Sequence, residues 1–140
     1  MVDSLLFIRR LLLAAALATI AAEAETFPAD QVAIIGSIDY GLKIGPVHYQ
    51  SRPLRYCALV FNGKPGDNIE VWVHARRGAP IAFVTNSNLK LVAGGSAHFS
   101  ATIPAASRPD TYYIIFREAQ FRKADFTVEL QRPSSGAKTH

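Results

Sequence analysis

A single cysteine, Cys57, stands among 140 residues, so no disulfide can form within the chain and stability has to come from apolar burial. Cys57 sits in the apolar run Tyr56 to Phe61, where a thiol serves as a small hydrophobe and is expected in the core. Charge is sparse as well: Asp, Glu, Lys and Arg make up 19% of the chain, and the bases are scattered singly or in pairs such as Arg76-Arg77 and Arg122-Lys123. A nucleic-acid footprint needs a concentrated basic stripe. The net charge of +4 therefore reads as a solvated surface with weak attraction to anionic polysaccharide or lipid.

Catalytic and metal-binding spacings are missing too. His48, His74, His98 and His140 fall in no H-E-x-x-H or H-x-x-x-H frame, so no metal site is expected. No G-x-S-x-G occurs, since Gly36-Ser37 and Gly95-Ser96 lack that frame, which removes the usual signature of a serine hydrolase. Acids such as Asp67 and Asp110 stand at turns, where they cap backbone rather than pair for glycoside hydrolysis. No cofactor is expected, and a small hydrolase is the minor alternative.

The one long hydrophobic run is at the start. Arg9 and Arg10 precede Leu11 to Ala22, and Ala22-Glu23-Ala24 forms an A-x-A cleavage pattern, the layout of a secretory signal peptide cut after Ala24. A transmembrane anchor, the alternative, needs about 20 apolar residues, and this run is shorter and ends in small residues and charge. The expected product is periplasmic or secreted, with no stable membrane insertion once the leader is removed. It would comprise a domain over 25–132 and a polar, disordered tail over 133–140.

No segment after the leader sustains helical periodicity. Short apolar or alternating runs recur instead: Val32 to Ile38, Val47 to Gln50, Leu54 to Phe61, Asn68 to Ala75, Ile81 to Val84, Leu89 to Val92, His98 to Ile103, Thr111 to Arg117 and Phe126 to Leu130. Turns are predicted at Tyr40-Gly41-Leu42, Gly63 to Asp67, Arg76 to Pro80 and Ala93-Gly94-Gly95-Ser96, a loop over Pro104 to Pro109, and a charged hairpin loop over Glu118 to Ala124. Eight or nine short strands at this spacing predict an all-β, jelly-roll-like antiparallel β-sandwich. Leu54 to Phe61 is apolar on both faces, so it is expected to be central or covered.

Arg55 to Val73 organises the rest as a central hairpin. If Ile69, Val71 and Val73 face inward, then Glu70, Trp72 and His74 share the outward face of the same strand. An indole between a carboxylate and an imidazole suits a sugar or a partner side chain, unless a loop or the region of Tyr49 covers it. Tyr113 and Arg117, outward on a later strand, extend the candidate ligand-binding set.

Arg55-Tyr56-x-Ala58-x-x-Phe61, Gly63-x-Pro65-Gly66-Asp67, Ile69-x-Val71-x-Val73, Ala82-Phe83-Val84 with Leu89 and Leu91, and Thr111 to Arg117 before Phe126-Thr127-Val128-Glu129-Leu130 together resemble the bacterial pre-peptidase C-terminal domain family. The resemblance runs from about Ile34 to Leu130. It implies a jelly-roll-like sandwich, non-catalytic, serving secretion, substrate attachment or localisation beside exported enzymes, here standing alone. Some collagenase-associated members bind calcium through acidic residues. Asn86, Ser87 and Asn88 occupy the corresponding loop here, and a hard cation wants several carboxylates. The resulting expectation is a binding or accessory module for a surface polysaccharide or an exported protein, with assembly through exposed sheet edges as the alternative.

Overall fold

Period-two alternation of apolar and polar side chains leaves each strand one face to bury, and two sheets meet by those faces. The computed structural model describes residues 25–104 and 110–132. The expected signal peptide (1–24), the loop of small residues beyond Pro104 and the polar tail (133–140) lie outside the described residues. Among the described residues a 3-10 turn at Ala29–Gln31 is followed by nine strands: β1 Val32–Ser37, β2 Leu42–Tyr49, β3 Tyr56–Gly63, β4 Asn68–Arg77, β5 Pro80–Asn86, β6 Leu91–Ser96, β7 His98–Thr102, β8 Asp110–Glu118 and β9 Ala124–Gln131.

They form a five-stranded sheet in the order β1-β3-β8-β5-β6 and a four-stranded sheet in the order β2-β9-β4-β7. Without β1 this is the interleaving of a jelly roll, in which successive strands cross between the two sheets except for the β5–β6 hairpin. Ile69, Val71 and Val73 of β4, Phe126, Val128 and Leu130 of β9, Leu59 and Phe61 of β3, and Tyr112, Ile114 and Phe116 of β8 fill the space between the sheets, all almost fully buried. Each such side chain contributes about 1.5–3 kcal/mol by leaving water, which is how a chain without disulfides holds together.

The outer face of the five-stranded sheet is covered as well. Phe27, carried by the segment before β1, packs on Ala58 and Ile115, with Tyr56, Phe83 and Tyr113 around it. Its ring centroid lies 5.4 Å from that of Tyr56 and 5.0 Å from that of Phe83. Backbone hydrogen bonds from Phe27 N–H to Leu89 O and from Leu91 N–H to Glu25 O hold the segment against the sheet. This cover explains why β3 is apolar on both faces, and it leaves the outer face of the four-stranded sheet open.

Several expectations change. Arg55 to Val73 is not a hairpin, because β3 and β4 lie in different sheets and the turn between them crosses the sandwich; the turn between β8 and β9 crosses in the same way. The sandwich is not wholly antiparallel, because β1 runs parallel to β3; the chain reaches β1 before crossing to the other sheet, so no hairpin sets the direction. Strand β2 begins at Leu42 rather than Val47: Gly45-Pro46 forms a bulge within it, and a Cβ on Gly45 would lie 2.9 Å from Phe126 O. Proline is tolerated there because β2 is an edge strand.

Ala93 to Ser96 belongs to β6 instead of closing a hairpin. Gly94, at φ +129°, lies at an irregularity in the β5–β6 register, where a Cβ would come within 2.5 Å of Phe83 Cα. Glycine there permits a close backbone approach rather than a turn. Gly94→Ala is accordingly expected to lower the unfolding free energy by roughly 2 kcal/mol or more in urea titrations; a loss below about 0.5 kcal/mol contradicts the close approach.

Candidate functional site

The open face centres on β4, which lies between β9 and β7. Because Ile69, Val71 and Val73 are buried between the sheets, Glu70, Trp72 and His74 project outward. Trp72 is 42% exposed, so neither a loop nor Tyr49 covers it. Register brings two further residues level with it: His98 of β7 on one side and Glu129 of β9 on the other.

The side chains form a chain of contacts. The His98 imidazole stacks on the indole at 4.0 Å between centroids and the His74 imidazole at 5.0 Å, each tilted by 16°. His98 Nε2 lies 2.7 Å from Glu70 Oε2, and His74 Nε2 lies 2.9 Å from Glu129 Oε1. An ionised carboxylate only accepts, so in both pairs Nε2 carries the proton and donates it. Gln131 donates to Glu129 Oε2 at 2.8 Å, and Lys43 Nζ stands 3.9 Å from Oε1. The result is a relay, Glu70–His98–Trp72–His74–Glu129, that holds the indole in one orientation while leaving it partly in water.

The His74 hydrogen bond pulls the Glu129 carboxyl below its usual range, with Gln131 and Lys43 acting in the same direction. A similar pair lies further along β9, where His48 Nδ1 meets Asp125 Oδ1 at 2.6 Å; that bond, aided by Arg77, lowers Asp125. Partly exposed pairs of this kind add little to stability. Their effect is to fix ring orientation.

Tyr113 and Arg117 are placed elsewhere. Both lie on β8, in the other sheet, so they are not brought together with Glu70, Trp72 and His74. Tyr113 packs beneath the Phe27 cover. Arg117 Nη1 donates to the carbonyls of Glu118 and Ala119 at 3.0 and 2.8 Å, and its guanidinium stands 4.3 Å from the Phe121 ring centre. Conversely, His98 and Glu129 belong to the relay although sequence reasoning did not select them. Alternation marks both as outward residues, but their proximity to Trp72 depends on β7 and β9 flanking β4.

Cys57 is half-buried rather than fully enclosed, and burial pushes its thiol pKa up. Less thiolate means slower chemistry, so iodoacetamide at neutral pH is expected to alkylate Cys57 roughly tenfold more slowly than free cysteine; equal rates would mean an activated thiol. For Glu129, whose folded pKa is depressed, the stabilisation is complete above the ordinary carboxylate range and is lost as pH falls through the folded value. Urea midpoints followed into acid should therefore drop less steeply for Glu129→Gln than for the unaltered protein.

No family model matches the sequence, and no curated protein sequence matches it. Solved structures do match in fold. The crystal structure of Aeromonas hydrophila PliG, a periplasmic lysozyme inhibitor of g-type lysozyme, superposes with a TM-score of 0.56 at 8% identity, covering 74% of this chain and 98% of that one. The pre-peptidase C-terminal domain of collagenase from Bacillus anthracis gives 0.50 at 14% identity, covering 76% and 100%. At these identities the likeness is one of fold: an all-β sandwich shared with a periplasmic inhibitor and with a domain of the type the sequence resembles.

Proposed function

We propose that the protein is a non-catalytic, exported binding module whose open four-stranded face recognises an exported protein. The observation that carries this reading is the pre-oriented, half-exposed indole of Trp72, with imidazoles stacked on it and a carboxylate at each end of the relay. Tryptophan is enriched among the few side chains that dominate protein interfaces. An aromatic anchor already held in one orientation loses little entropy on binding. Stacking also occupies indole surface that a sugar ring would need, which favours a protein partner over a polysaccharide on this face. The relay centres on an indole, which is neither a nucleophile nor a proton donor toward a substrate, in keeping with a role in binding.

Export is supported by the signal-peptide pattern over 1–24, and the fold likeness to a periplasmic inhibitor fits a protein that meets other exported proteins. The test starts from partners captured out of an envelope extract, each purified and titrated calorimetrically. Trp72→Ala is expected to weaken the true partner by at least about 2 kcal/mol, the cost of a hot-spot truncation, with the thermal midpoint essentially unchanged. Undiminished affinity places the interface elsewhere, and loss of binding on a neutral glycan array instead would assign the face to polysaccharide.

Assembly through sheet edges has one specific observation in its favour. β1 is an edge strand that exposes Ile34 and Ile35, at 57% and 45%, and unpaired edges with apolar side chains invite pairing. Light scattering during size-exclusion chromatography decides: on this reading Ile35→Lys converts an oligomer to a monomer, and a protein that is monomeric at high concentration without the substitution ends it.

A further inference from the structure

A second feature lies at the end of the sandwich where β2 finishes and β9 begins, at the paired residues Tyr49 and Ala124. The β2–β3 connection supplies Gln50, Ser51, Arg52 and Arg55, and the β8–β9 turn supplies Phe121 and Lys123. Together they line two hollows of about 280 and 230 Å3. A third hollow of about 280 Å3, bordered by His48 and Tyr56, also has Arg52 in its wall. Arg52 thus stands in the wall of all three adjoining hollows, which together are called the groove, and none of the residues lining them is acidic.

The groove's cations are unpaired. Among the described residues the ion pairs of lysine and arginine engage Lys43, Arg77 and Arg132, leaving Arg52, Arg55 and Lys123 without a carboxylate, and all three are exposed. The turn beneath them is firmly built. The buried Glu118 carboxylate accepts the backbone N–H groups of Ala79, Gln120 and Arg122 at 3.2, 2.7 and 2.9 Å. Phe121 is held at φ +59°, a conformation bulky residues adopt only when their surroundings impose it.

The Arg55 guanidinium stacks on the Phe121 ring, 4.1 Å from its centre. A stacked guanidinium keeps its in-plane N–H groups available for a planar or tetrahedral oxyanion.

We propose that this groove is an anion-binding site that takes the carboxylate, sulfate or phosphate groups of an acidic polysaccharide. Arg52, Arg55 and Lys123 supply the charge, and the Gln50 amide and Ser51 hydroxyl supply hydrogen bonds suited to sugar hydroxyls. A succession of hollows joined at one arginine fits a linear chain that presents charge at intervals. An acidic protein segment fits less well at the turn, where the cations stand, because protein anchors seek desolvated apolar pockets and the two hollows there offer a single ring; the apolar residues Pro53, Leu54 and Tyr56 border only the third hollow. The site is separate from the Trp72 face and does not depend on the reading given to it.

Calorimetric titration of the purified protein with polygalacturonate, dextran sulfate, neutral dextran and poly-L-glutamate, between about 50 and 200 mM salt, tests the assignment. At least one charged polysaccharide should saturate while neutral dextran does not. The double variant Arg52→Ala/Lys123→Ala should weaken that binding roughly tenfold or more, whereas the charge-matched Arg76→Ala/Lys90→Ala should change it by about twofold or less. Arg52→Glu, a reversal at one exposed side chain, should repeat the loss, and Trp72→Ala should leave binding intact. The proposal is overturned if no charged polysaccharide saturates, if the two double variants weaken binding alike, or if poly-L-glutamate binds more tightly than any polysaccharide.

Discussion

Phe27 is the contact on which the asymmetry of the molecule depends. A two-sheet sandwich has two outer faces, and here the segment before β1 closes one by setting an aromatic ring on Ala58 and Ile115, between Tyr56 and Phe83. That leaves the outer face of the four-stranded sheet as the open one. Everything proposed for Trp72 follows from this division. The same aromatic character that makes Tyr113 a structural residue on the covered sheet makes Trp72 a candidate anchor on the open one.

The open face shows how weak interactions produce a defined geometry. Neither histidine–carboxylate pair is deeply buried, so neither adds much to stability. Each nevertheless removes the freedom of an imidazole, and each imidazole in turn restrains the indole. The groove at the end of the sandwich uses a different device. Backbone hydrogen bonds to Glu118 shape a turn that raises the Phe121 ring, and the ring carries the arginines. In one place side chains position a side chain; in the other, a buried carboxylate positions backbone. Both leave functional groups exposed but oriented, so that little ordering remains for a ligand to impose.

Much of the fold was legible along the chain. The inward rows of β4 and β9 and the apolar character of β3 on both faces follow from local alternation, and the turn after β8 from its turn residues, although that turn crosses between the sheets instead of closing a hairpin. Gly94 misled, because glycine serves both turns and close backbone approaches, and only the position of Phe83 across the sheet distinguishes them. Gly45-Pro46 misled in the same way, since a bulge in an edge strand and the start of a strand share one sequence signal. The parallel pairing of β1 had no local signal at all.

The amino-acid sequence by itself determined that the molecule is a β-sandwich and that Glu70, Trp72 and His74 share the outward side of one strand, because side-chain direction along a strand is a matter of immediate neighbours. Only the tertiary structure decided that this side is open, that His98 and Glu129 flank the indole, that Tyr113 and Arg117 lie on the other sheet, and that Arg52, Arg55 and Lys123 converge. These are facts of register and of sheet order, set by contacts between residues distant in the chain. Alternation within a single strand carries no record of them.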